Sequence, residues 1–488
     1  MKNKSIKINA ILNVIKQCLG ILFPLITYPY VSRVLGAENL GRYSFSDSIV
    51  QTLITISLLG IPTYAVREGA MIRNDKKKIE DFCSEVFTIN FLSALLSYLL
   101  LIILILTVAR IRLEQVFIMI LSINIMSCCL GRDWLNTVYE EYLYITIRYI
   151  AIHIISLVLI LLLVKKEDDL LTYVIIMAFS SFAGYMINIF YTARMVPYRF
   201  TVSKELLKHM KPLLILFCSS IASTIYINSD ITILGFMRSN SEVGVYTMTS
   251  KIYSIVKNVL NAIIMVTVPR LSFYLGNPSD DSLQKYNELL NQIRNALLLL
   301  VFPAVTGLFC LSSDVLRLLG GNGFQSGVTS LRILCFAMIF AVFGCFYAHA
   351  VLIVNRLDHV FFNATVISAI VNIVLNLIFI PFWGINGAAL TTALSEICIV
   401  LICALPAKRF FQNDRSQLIH YLIPTGMECL SIFVISYITS VMIDSIIIRV
   451  ILTIIFSIIV YLFILYFSKM DFVIDTISNV IGKKYKDS

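Results

Sequence analysis

Ser32–Ser48 reads SRVLGAENLGRYSFSDS, a polar interruption between two long apolar runs, and Thr232–Ser250 reads TILGFMRSNSEVGVYTMTS in an equivalent gap. Gly41 and Gly244, Tyr43 and Tyr246, and Arg67 and Arg270 are each 203 positions apart, so the register holds across the whole apolar segment that follows. The pair Leu35 and Gly36 returns as Leu234 and Gly235 at an offset of 199, which puts a four-residue insertion in the second copy. An offset shared over that length marks an internal duplication. The glycines of the two stretches are expected to make tight turns that return the chain to the bilayer.

The chain around these stretches has 488 residues, of which 58% are hydrophobic and 14% charged. Its mean hydropathy is +0.86. Such a composition excludes a soluble globular domain and points to an all-α polytopic membrane protein. A span needs about 20 apolar residues, and fourteen runs qualify: 8–31, 45–66, 84–108, 114–131, 145–164, 170–192, 211–236, 245–268, 293–311, 331–354, 360–381, 385–405, 418–440 and 446–467. The first follows Lys2, Lys4 and Lys7 but is too long for a signal-peptide core and lacks a small-residue cleavage site, so it reads as a retained span. Eleven cysteines sit almost wholly within apolar runs and have no CxxC spacing, which argues against a disulfide framework and against a metal site.

Lys and Arg collect in alternate connections, such as Arg73 to Lys78, Arg194 to Lys208 and Lys483 to Lys486, and this places both termini in the cytoplasm. Anionic inner-leaflet lipid accounts for the net charge of +10 without nucleic acid. The duplication predicts two pseudo-symmetric six-helix lobes, 1–200 and 201–410, followed by two further helices and a cytoplasmic tail in 411–488. A parallel repeat of this kind predicts a site between the lobes that alternates between the two sides.

Polar side chains inside spans line up at helical spacing. Thr247, Lys251, Ser254, Asn258 and Asn261 fall within an arc of about 80°, and a shift of 203 lands on Ser44, Ser48, Gln51 and Thr55. Span seven carries Ser219, Ser223, Tyr226 and Asp230, and span eleven carries Thr365, Ser368, Asn372 and Asn376. Lys16 lies in span one near Pro24, which is expected to bend that helix. Each stripe has a plainer reading as helix-to-helix hydrogen bonding, and Lys16 could snorkel to the nearby interface. Lys257 lies off its stripe by about 120° and is the weaker cation. Asp230, Glu85 and Glu396 could carry a coupling proton or sodium ion or simply pair with internal cations. His153 and His349 read as packed histidines rather than relays.

Phe23–Arg73, FPLITYPYVSRVLGAENLGRYSFSDSIVQTLITISLLGIPTYAVREGAMIR, resembles the N-terminal signature of bacterial polysaccharide-unit flippases of the multidrug/oligosaccharidyl-lipid/polysaccharide exporter superfamily. WLNTVYEEYLYITIR at Trp134–Arg148, YTMTSKIY at Tyr246–Tyr253, VPRLS at Val268–Ser272 and NIVLNLIFIPFWGINGAALTTALSE at Asn372–Glu396 extend the resemblance over most of the chain. Val138 departs from it, standing where the family usually has Gly, at the bend between spans four and five. The resemblance implies two helical lobes and translocation of an undecaprenyl-pyrophosphate-linked oligosaccharide from the cytoplasmic to the periplasmic leaflet of the inner membrane, for O-antigen or capsule assembly. No cofactor beyond a coupling H+ or Na+ is expected, and a polysaccharide polymerase and a chain-length regulator would be partners.

For such cargo, Lys251, Lys16 and Arg148 are the candidate phosphate ligands, and Ser48, Gln51, Asn258, Asn372 and Asn376 the candidate sugar contacts. Two rival readings remain. A drug or organic-cation exporter should have a cavity dominated by carboxylates, whereas cations here at least equal acids. A polymerase or glycosyltransferase needs a sizeable outward catalytic loop, and the outward acidic cluster Glu167, Asp168 and Asp169 sits in a very short connection.

Overall fold

A computed structural model describes residues 6–276, 279–411 and 415–468. The basic residues Lys2, Lys4, Lys483, Lys484 and Lys486, and with them the expected cytoplasmic tail, lie outside the described residues. The described chain is helical from end to end: α1 (Ile6–Leu58), α2 (Ile61–Ile72), α3 (Lys76–Thr107), α4 (Ala109–Leu113), α5 (Gln115–Gly131), α6 (Asp133–Val138), α7 (Tyr142–Leu163), α8 (Leu170–Met195), α9 (Leu206–Met237), α10 (Asn240–Gly276), α11 (Asp280–Cys310), α12 (Ser312–Gly320), α13 (Val328–Cys345), α14 (Asp358–Ala407), α15 (Arg415–Met442) and α16 (Ile446–Phe467).

Twelve helical stretches among the described residues are long and apolar enough to cross a membrane, where the sequence predicts fourteen spans. The difference lies in two long elements. α1 has 53 residues and α14 has 50, which at 1.5 Å per residue is roughly 75 to 80 Å, more than twice a hydrocarbon core. Each breaks at a glycine with positive φ, Gly36 at 74° and Gly384 at 52°, and counting the arms separately returns the fourteen crossings. The protein is thus a multi-pass membrane protein. The backbone of α1 leaves helical geometry at Gly36 and not at Pro24, whose ring the helix accommodates.

Contacts group the helices into two units, Met1–Thr247 with Ile373–Ile385, and Met248–Asn372 with Asn386–Ser488. In the first, α1 packs on α3, α5, α7 and α9, and α5 packs on α8. An apolar core joins Ile61, Tyr64, Phe82, Val86, Trp134 and Leu213 from α2, α3, α6 and α9. α3 starts on a side-chain cap: the Asp75 carboxylate accepts the Lys78 N–H at 3.2 Å, which holds that carboxyl below its usual range. Val138 stays helical and buried, and the positive φ angles between these spans fall on either side of it, at Arg132, 48°, and Glu140, 56°. In the second unit α11 packs on α13 and α15, and α15 on α16. Arg449 donates to Asp314 at 2.6 Å there, tying α16 to α12.

Candidate functional site

Inside the first unit a cavity of about 290 Å³ lies between α1, α7 and α8. From α7 its wall takes Ile145, Arg148, Tyr149, Ile152, His153 and Ser156, the i, i+3, i+4, i+7, i+8, i+11 series that puts residues on one helical face. Lys16 from α1, Asp133 from α6 and Ser180, Ser181 and Tyr185 from α8 add to its polar lining, so two cations 132 residues apart in sequence share one space.

Arg148 is nine-tenths buried and donates through Nη2 to Asp133 Oδ1 at 2.8 Å. Its Nη1 is buried with no partner. Asp133 also accepts Asn188 Nδ2 at 2.7 Å, and Asn136 Nδ2 donates to Asn188 Oδ1 at 2.7 Å, so a buried amide pair aims the carboxylate at the guanidinium. Lys16 Nζ stands 5.9 Å from the Tyr149 ring centroid, and no carboxylate lies within ion-pair distance of it among the described residues. The Tyr149 ring stacks on His153 at 3.8 Å, and His153 Nδ1 meets the Tyr149 carbonyl at 2.8 Å. His153 is therefore packed, as expected, yet its ring also faces the cavity. Ser156 and Ser180 bring their hydroxyls within 2.5 Å of each other. With two cations against one carboxylate the site is net positive, and the free Nη1 donor asks for an acceptor that the protein does not supply.

The three carboxylates expected as coupling candidates have specific partners. Asp230, buried in α9, accepts Tyr246 Oη at 2.6 Å and Asn376 Nδ2 at 2.6 Å, so two residues singled out from separate stripes meet. Glu396 accepts Tyr253 Oη at 3.0 Å and lies 3.5 Å from Lys257 Nζ, which makes Lys257 the partner of a buried acid although it is off the polar stripe. Glu85 lies 2.7 Å from His209 Nε2, whose Nδ1 is 2.6 Å from Tyr64 Oη, and Lys208 Nζ approaches Glu85 at 3.4 Å. The tautomer in which Tyr64 donates to Nδ1 and Nε2–H donates to Glu85 satisfies all three groups.

The remaining residues divide. Ser48 is buried, donating to the Phe45 carbonyl at 2.8 Å and accepting Thr232 Oγ1 at 3.0 Å, a helix-to-helix bond. Gln51 is exposed and donates to Asp47 at 3.3 Å. Asn258 is exposed on α10, Lys251 is half-buried on the same helix, and Asn372 is fully buried on α14. Sequence reasoning passed over Asp133, Asn136, Asn188, Tyr64 and His209. Asn188, a lone amide in an apolar span, carried a signal that could have found it, whereas nothing in the sequence tied His209 to Glu85.

The repeated glycines meet one another. Gly41 in α1 and Gly244 in α10 are helical, not in turns, and each backbone lies against the other helix. A Cβ on Gly41 would fall far inside van der Waals contact with the Asn240 carbonyl oxygen, and one on Gly244 would do the same to the Ala37 carbonyl oxygen. Of the glycines in the two stretches, Gly36 has the positive φ of a turn, while Gly235 is helical with the Phe45 ring against it. Beside the crossing, buried Glu114 accepts Arg42 Nε at 3.0 Å, and Arg110 donates to the Gly235 carbonyl at 2.7 Å and to Asn240.

Residues 6–274 match the family described as polysaccharide biosynthesis protein. A Haloferax volcanii protein described as the low-salt glycan biosynthesis flippase Agl15 is 28% identical over 177 residues, which is 36% of this chain and 37% of that relative. An Escherichia coli K12 protein described as an O-antigen transporter is 20% identical over 426 residues, covering 84% of this chain and 98% of its own. Among solved structures, the lipid II flippase MurJ in an inward closed conformation superposes with a TM-score of 0.70 at 16% identity, covering 97% of this chain and 99% of that one. An inward-facing multidrug resistance MATE transporter superposes with a TM-score of 0.60 at 14% identity, covering 80% and 94%. At these identities the two superpositions establish the fold.

Proposed function

The chain belongs to the polysaccharide biosynthesis protein family, and from that membership we propose that it is a flippase, not an enzyme, for lipid-linked oligosaccharides. The cargo in this reading is an undecaprenyl-pyrophosphate-linked repeat unit moving from the cytoplasmic to the periplasmic leaflet of a bacterial inner membrane, for O-antigen or capsule. The charge pattern of the connections supports cytoplasmic termini. Duplication would have made the lobes 1–200 and 201–410, with 411–488 appended.

One observation carries this reading: a cavity among apolar helices that holds Lys16 and Arg148, with one guanidinium nitrogen unpaired. A pyrophosphate cannot enter hydrocarbon without compensation, since an isolated charge there costs several kcal/mol or more. Arg148 offers a planar fork and Lys16 a point charge, while the Ser156 and Ser180 hydroxyls offer sugars what water would. Such a site repels an organic cation, which disfavours a drug exporter. The polyprenyl tail would stay in lipid. Release on the far side would require the backbone crossing at Gly41 and Gly244 to part, as alternating access demands.

The test is complementation of a strain that lacks its own repeat-unit flippase, scoring lipid-linked units in the outer leaflet and surface glycan. Restoration by the wild-type chain and its loss in Lys251→Ala at equal membrane abundance are expected. Failure of the wild-type chain with every repeat unit tried would end the proposal, and normal glycan in the mutant would remove Lys251 from it.

Asp230 is the proposed coupling site, with Glu85 and Glu396 as further H+ or Na+ candidates. Asp230→Asn keeps the size and one acceptor for Tyr246, so the protein should insert and fold while transport stops. Transport that persists with the same pH and sodium dependence would discard this role. A polymerase and a chain-length regulator are the proposed partners.

A further inference from the structure

In the second unit a groove of about 350 Å³ runs between α11, α15 and α16. Its wall is aliphatic apart from Glu428, Thr453, Ser457 and Tyr461. Lining residues Leu300, Ile454 and Ile458 are 37%, 47% and 51% exposed, so the groove opens on the outer apolar surface of the unit. Glu428 is 1% exposed, and neither of its carboxylate oxygens has a hydrogen-bonding partner. Ser457 Oγ, on the wall of the same groove, is equally unpartnered. No lysine, arginine or histidine pairs with Glu428 among the described residues.

A buried carboxyl without a partner either keeps its proton, with its O–H and C=O unmatched, or is ionised at greater cost, and a donor from outside the chain relieves both states. A plain hydrocarbon chain would fill the walls and leave all three oxygens orphaned. An anionic headgroup would be repelled. A protonated amine on an apolar body answers both halves of the site, because its chain or ring lies on the aliphatic walls and its N–H groups reach Glu428 and Ser457. We propose that this groove binds lipophilic amines, with Glu428 as the counter-ion and Ser457 as a second acceptor. The assignment stands on this groove alone and does not rest on the flippase reading.

The full chain in dodecyl maltoside micelles is titrated with dansylcadaverine, a hydrophobic fluorophore carrying one primary amine, and fluorescence enhancement is followed. Saturable binding is expected, weakened about tenfold or more by Glu428→Gln, as loss of a charged hydrogen-bonded pair implies. The N-acetylated probe has no charge and should bind the unmodified protein at least about tenfold more weakly, which reads the same interaction without any mutation. Equal binding of the two probes, equal binding by Glu428→Gln, or absence of saturation would each overturn the proposal. Glycan export enters neither arm, so its failure leaves this result untouched.

Discussion

Replacing Arg148 by alanine is expected to lower the proposed export of lipid-linked units by roughly tenfold to a hundredfold, the loss of one charge-assisted interaction of about 1.5–3 kcal/mol with the phosphate that the proposal places there. The geometry makes the loss larger than the missing cation alone. Arg148 holds Asp133 at 2.8 Å, and without it that half-exposed carboxylate, still held by Asn188 at 2.7 Å, keeps its charge at the cavity with only solvent to screen it. The site would then carry Lys16 against a free negative charge, neutral where it had been net positive. Two companions make the cause readable. Arg148→Lys keeps the charge but loses the planar fork and should fall between wild type and alanine. Adding Asp133→Ala to Arg148→Ala removes the stranded anion and should recover part of the export. Export of wild-type size in Arg148→Ala, with lipid-linked units counted in the outer leaflet, would take this cavity out of the transport path.

Gly244→Ala is expected to abolish export and to lower the thermal stability of the purified protein. Its Cβ would be driven into the Ala37 carbonyl oxygen of α1, a backbone atom that cannot rotate away. Overpacking of side chains usually costs about 1–3 kcal/mol, and a clash against main chain belongs at or above the top of that range. The helices would have to separate, carrying Asn240 away from Arg110 and Glu114. Gly41→Ala attacks the same crossing from the other side and should behave alike. Gly426→Ala is the control: it lies within α15 and a Cβ there meets nothing within 4 Å, so the better helix propensity of alanine should leave stability equal or slightly raised. A Gly244→Ala protein with wild-type melting and export would mean that the crossing opens and closes without need of close contact.

Much of the candidate site could be read in one dimension, though not its pairings. Lys16, Arg148, Asp230, Asn376, Glu85 and Glu396 all stood out because ionisable and amide groups are costly in apolar helices. Their partners did not. Asp133, which orients Arg148, sits 15 residues away in a turn-rich stretch, and His209, which holds Glu85, is 124 residues distant. Ser48 shows the limit of helical phase. Its face was identified by spacing, yet spacing does not say whether that face meets water or Thr232. Lys257 shows the reverse, an off-stripe cation that finds a buried acid because α14 approaches its side of α10.

Composition and periodicity alone determined that this chain lives in a bilayer, where its apolar runs lie, and that its plan was written twice at an offset of 203. These are local or translational properties, governed by the transfer free energy of each segment and visible without knowing which helix neighbours which. Only the tertiary structure decided that α1 and α14 each run as one helix broken at a glycine, that Gly41 and Gly244 touch instead of turning, and that Lys16 and Arg148 share a cavity. Hydrogen bonds and ion pairs act over about 3 Å, so their partners are chosen by the packing of helices far apart in sequence.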